Sequence, residues 1–68
     1  HLENTFVNLV KTTDLFVSLY EDGSVEVDIH SGKNDTEKMI TIQNWFTSRN
    51  AKVVSTVTES YGTTLTVK

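Results

Sequence analysis

Residues 15–30, LFVSLYEDGSVEVDIH, leave this chain little choice of local structure. Leu15, Val17 and Leu19 alternate with Phe16, Ser18 and Tyr20, and Val25, Val27 and Ile29 alternate with Glu26, Asp28 and His30. A period of two marks a strand with one buried face. Glu21-Asp22-Gly23 separates the two runs, and glycine accepts the positive φ that a tight turn demands. The segment predicts a β-hairpin. Any fold that contains it needs an apolar layer against the Leu/Val/Ile face.

That layer is expected from the residues that follow. SGKND breaks the alternation, and Asn34 can accept a bond from an orphan amide while Glu37 reaches back, a capping box. Met39, Ile42 and Phe46 then fall on one helical face, with Trp45 beside them. The β-branched run Ile40-Thr41-Ile42 suits a strand better, but the cap and the length favour a helix from about Asp35 to Asn50. Residues 52–68, KVVSTVTESYGTTLTVK, are two more β-branched runs around ESYG. They predict a second hairpin in which Val53 and Val57 share one face, as do Leu65 and Val67.

HLENTFVNLVKTT, residues 1–13, fits a helix or a strand: Leu2, Phe6, Leu9 and Val10 make a helical stripe, but Thr, Asn and Val are weak helix formers. A shift of forty residues places Asn4 on Asn44, Phe6 on Phe46, Val17 on Val57, Val25 on Leu65 and Val27 on Val67. On that ground the segment is read as a helix. The fold class is then α+β: a four-stranded antiparallel sheet with one or two helices on one face, a ββαββ core within an αββαββ pseudo-repeat. The expected core is Phe6, Leu9, Leu15, Val17, Leu19, Val25, Val27, Ile29, Met39, Ile42, Phe46, Val53, Val57, Leu65 and Val67. The outward face would carry Phe16, Ser18, Tyr20, Glu26, Asp28, His30, Val54, Thr56, Thr58, Thr64 and Thr66.

Sixty-eight residues are read as one domain, 1–68, and a chain this short buries only about 60% of its unfolded surface. There is no cysteine to staple it, so the core alone, or a dimer formed through an edge strand, must hold it. The opening His1-Leu2-Glu3, in place of Met, suggests a fragment or vector-derived residues 1–3. No apolar run reaches the ~20 residues of a membrane-spanning helix. The compartment is left open.

Residues 44–52, NWFTSRNAK, resemble the recognition helix of homeodomains through Trp45, Phe46, Arg49 and Lys52. The resemblance implies duplex-DNA reading by a three-helix fold. Ser48 stands where that family has its adenine-reading asparagine, and Asn50 at its second basic position, so the bidentate base contact is missing. The ββαββ layout is similar to that of immunoglobulin-binding domains of the protein L and protein G kind and of small phage-encoded regulators. That is a likeness of layout alone.

Nothing in the sequence sets a nucleophile beside a base, and there is no glycine-rich phosphate loop or metal-spaced Cys/His set. Glu26, Asp28 and His30 lie ~7 Å apart along a strand, too far to share one ion unaided. Neither an enzyme nor a cofactor is expected. Asn34-Asp35-Thr36 is a formal glycosylation acceptor, relevant only in a secreted protein. The net charge is −3, and residues 12–32 hold Asp14, Glu21, Asp22, Glu26 and Asp28 with no lysine or arginine. This predicts a protein-binding module, a small regulatory or viral factor, contacting its partner through Phe16, Tyr20, Glu21, Asp22, Glu26 and Asp28. The alternative is a nucleic-acid-binding domain using Lys33, Lys38, Arg49 and Lys52, which the charge balance disfavours.

Overall fold

A computed structural model describes residues 1–32 and 34–68. The elements run α1 (Leu2–Val10), β1 (Leu15–Leu19), β2 (Val25–Ile29), α2 (Asp35–Thr47), β3 (Val53–Glu59) and β4 (Gly62–Val67). The strands form one antiparallel sheet in the order β1-β2-β4-β3. The N-terminal segment is helical, so a helix precedes each hairpin.

One core joins both helices to the sheet. Phe6 and Val10 of α1 and Met39, Ile42 and Phe46 of α2 are buried with Leu15, Val27, Ile29, Leu65 and Val67. Leu15 opposes Ile29, and Val27 opposes Leu65, so these strand residues share a face. Three rings knit the helices together. Phe6 meets the edge of Trp45 at 5.0 Å and lies 5.3 Å from Phe46, and Trp45 stands edge-on to Phe46 at 5.2 Å. Such pairs add ~0.5–1.5 kcal/mol each beyond simple burial.

The forty-residue shift holds along the centre of the sheet. Glu26 pairs with its own equivalent Thr66, while Val25 pairs with Val67 and Val27 with Leu65, the exchange a local twofold produces. It fails at the sheet edge. β1 and β2 are joined by residues 20–24, but Glu59 and Gly62 pair directly across Ser60-Tyr61. A bulge between Val53 and Ser55 then absorbs one more residue, so Val53, opposite Val67, takes the place that Val17 holds opposite Val27. Val57 is therefore not the equivalent of Val17.

This bulge corrects the expected face of β3. Beyond it Thr56 opposes Leu65 and Thr58 opposes Thr63, so these threonines lie on the helix side, where Thr56 Oγ1 contacts Gln43 Oε1 of α2 at 3.4 Å. Val57, expected in the core, opposes Thr64 on the outer face and is exposed. Leu9 and Leu19 are exposed as well. α1 docks through Phe6 and Val10, one turn apart, which leaves Leu9 on its flank. Leu19 ends β1, beside a cleft lined by the first turn of α1. Val17, Val25 and Val53 are only partly buried, whereas Val10 and Thr63 are buried and were not expected to be.

α2 starts at Asp35 as expected, but its N-terminal cap and its C-terminal end differ from expectation. Asn34 sits at φ 60° and its side chain makes no cap bond. The carboxylate of Asp35 turns back instead, accepting from the Ser31 hydroxyl and, at 3.1 Å, from the Gly32 N–H, so the capping box is replaced by an aspartate that ties the loop to the helix. At the other end Asn50 adopts φ 67°, Ala51 N–H donates to Phe46 O at 3.1 Å, and Asn50 N–H donates to Thr47 O at 3.1 Å. This left-handed turn stops the helix at Thr47, short of Asn50.

Candidate functional site

The helices cover the sheet face that carries Leu15, Val27, Ile29, Leu65 and Val67; among the described residues no helix packs on the other. Pairing sets its rows. Phe16 opposes Asp28, which opposes Thr64, which opposes Val57; Ser18 opposes Glu26, which opposes Thr66, which opposes Ser55. Phe16 is 52% exposed, and Tyr20, just beyond the end of β1, is 50% exposed. Tyr61, in the two-residue turn, is 65% exposed. The His30 ring lies between Phe16, 6.0 Å away, and Tyr61, 5.9 Å away, making an aromatic strip across one end of the sheet.

Gly62 makes room for that strip. A methyl group there would overlap the Ile29 carbonyl oxygen and come within 2.6 Å of His30 Cδ2. The histidine ring occupies the space above a strand residue that has no side chain of its own.

The carboxylates on this face are held in place. Thr64 Oγ1 donates to Asp28 Oδ1 at 2.6 Å, and Tyr20 Oη donates to Glu26 Oε1 at 3.3 Å. The Glu26 charge beside the ring raises the Tyr20 phenol above its ordinary value of 10.0, with desolvation and the hydrogen bond to Glu26 adding to it and Asp28 contributing in the same direction. Because the folded state favours the protonated phenol, its contribution is complete below pH 10.0 and is lost as pH rises through the raised value. Replacing Glu26 with Gln is expected to bring the Tyr20 titration back toward its ordinary position, as followed by phenolate absorbance. A Tyr20 titration unmoved by Glu26→Gln would mean that this carboxylate does not face the ring.

At the rim, the Ser24 hydroxyl and amide donate to Asp22 Oδ1 at 2.6 and 2.9 Å, which with the Lys68 ammonium lowers the Asp22 carboxyl below 3.8. Lys68 Nζ lies 3.7 Å from Asp22 Oδ2. The acidic hairpin therefore has a basic neighbour, from the far end of β4, that the sequence could not place there. An exposed pair of this kind contributes little to stability.

Of the residues expected to bind a partner, Phe16, Tyr20, Glu26 and Asp28 are brought together, and Glu21 and Asp22 sit in the loop at their border. Tyr61 and Val57 join them without having been anticipated. The basic residues of the alternative are not gathered in the same way. Lys38 Nζ reaches Ser31 Oγ at 3.4 Å, whereas the Arg49 guanidinium lies 3.9 Å from the Trp45 ring centroid and donates to Trp45 O at 2.9 Å. Lys52 lies beyond the turn, its backbone paired with that of Lys68, and Lys33 falls outside the described residues. Arg49 and Lys52 thus stand past the end of α2, and that helix lies between two hairpins, unlike the three-helix fold that the homeodomain likeness implies.

Among the described residues no group of three or more His, Asp or Glu is placed to hold a metal ion, and no helix is long and apolar enough to cross a membrane. No family model, curated protein or solved structure matches the chain.

Proposed function

We propose that this chain is a non-enzymatic binding module of regulatory type, which engages a protein partner through the bare face of its sheet. The observation that carries this is the joint presence of exposed Phe16, Tyr20 and Tyr61 and of carboxylates already fixed by Tyr20 and Thr64. Aromatic side chains are favoured anchors of protein interfaces, and ordering the carboxylates beforehand lowers what a partner must spend on fixing them. A basic partner surface suits the charge, because Glu26 and Asp28 would repel phosphates. The charges set encounter rate and orientation, and the rings supply the contact.

The test replaces Glu26 with Gln and Asp28 with Asn in one variant. Thermal stability is expected to change little, because the amide oxygens can still accept from Thr64 and Tyr20 while the negative charge on the face is relieved. Association with a basic partner protein is expected to slow severalfold at low salt and to lose most of its salt dependence. Association unchanged at low salt would remove the docking role. Firm, salt-sensitive retention of the parent chain on a polyanion column would favour nucleic-acid binding instead.

A further inference from the structure

The two edges of the sheet are finished differently. β1 is overlaid by α1, and one of its outward amides is occupied, the Val17 N–H approaching Glu3 Oε1 at 3.4 Å. α2 meets β3 on its helix side, but among the described residues no side chain is seen on the outward backbone groups of β3. Lys52 and Lys68 exchange both backbone bonds, at 3.2 and 2.8 Å, which sets the phase of the β3–β4 ladder. By alternation Ser55, Val57 and Glu59 bond to β4, and the N–H and C=O groups of Thr56 and Thr58 point away from the sheet. From Val53 to Thr58 the strand carries no charge and no proline, so of the features that ordinarily protect an edge it has only the bulge at its start.

Its charges stand at its two ends, Lys52 before it and Glu59 at its close. The bulge makes Lys52 three ladder steps from Thr56, as Glu59 is on the other side, and both belong to the outer face. On the helix side Gln43 of α2 reaches Thr56, and Ile40, one turn earlier on the same flank, is 53% exposed. An apolar side chain is therefore poised beside the position that an added strand would fill.

We propose that β3 pairs antiparallel with β3 of a second copy of this chain, centred on Thr56, to give a continuous eight-stranded sheet. Pairing about that centre sets Lys52 of each copy opposite Glu59 of the other, so the edge is complementary to itself in the antiparallel sense alone. Ile40 of each copy covers the threonines of the added strand.

Sedimentation velocity over a concentration series tests this. The parent chain is expected to shift from one to two chain masses as concentration rises. Thr56→Pro removes an outward N–H that the sheet itself does not use, so it should leave the circular dichroism intact and abolish the dimer. Lys52→Glu sets like charges opposite each other and should weaken dimerisation at least tenfold, as should Glu59→Lys. The double exchange Lys52→Glu/Glu59→Lys should restore it. A parent that stays monomeric at millimolar concentration overturns the proposal. So does a dimer indifferent to all of these variants, or a double exchange that dimerises no better than either single change.

Discussion

Phe46→Ala should unfold this protein at ordinary temperature. The Phe46 ring is buried between α2 and the sheet and touches both Phe6 and Trp45, so its removal opens a cavity beneath both helices at once. Losing a buried phenylalanine costs ~3–5 kcal/mol, most of what so small a core can supply. Loss of the cooperative thermal transition is the expected result, and a melting point within a few degrees of the parent would place the helix face wrongly. Phe6→Ala removes the other half of the same ring contact and should act almost as strongly.

Gly62→Ala adds one methyl group and should still be among the most damaging changes available. The new Cβ would overlap the Ile29 carbonyl oxygen, which is backbone in the adjacent strand and cannot rotate away as a side chain could. The β2–β4 seam, where the two halves of the molecule join, would have to part at that end, and overpacking of this kind costs ~1–3 kcal/mol. His30 would be displaced too, so the aromatic strip between Phe16 and Tyr61 should loosen. Denaturant unfolding and the ring resonances of His30 read the two effects separately. A fully stable variant with an unmoved His30 would show that β2 and β4 lie further apart here.

The parts legible in the sequence were those in which a single period ran unbroken. Residues 15–29 alternate cleanly, and β1, β2 and their shared face follow from that alternation. Met39, Ile42 and Phe46 likewise mark the buried side of α2. What stayed hidden were the interruptions. A one-residue bulge at Val53–Ser55 reverses the phase of β3, and V-V-S-T-V-T has small or β-branched residues at every position, so neither face announces itself. The sequence pattern therefore puts Val57 in the core, whereas it lies on the outer face in the fold. The end of α2 does carry a signal in Asn50, a residue that tolerates the left-handed turn at which the helix stops.

The candidate site divides along the same line. Phe16, Tyr20, Glu26 and Asp28 follow from strand parity within one hairpin. Tyr61 and Val57 reach that face only through the β2–β4 pairing and the tight Ser60-Tyr61 turn, which bring distant segments beside Asp28 and His30. Lys68 meets Asp22 for the same reason. Pairing between hairpins is the step that no local pattern encodes.

The bare face as the docking surface is the central claim, and chemical-shift mapping on the isotopically labelled chain tests it most directly. Titration with the bound protein partner, recovered from the native host, should move the resonances of Phe16, Tyr20, Glu26, Asp28, His30 and Tyr61 as one contiguous patch and leave those of α2 in place. Shifts gathered instead around Lys38, Arg49 and Lys52, with the sheet face unmoved, would contradict it.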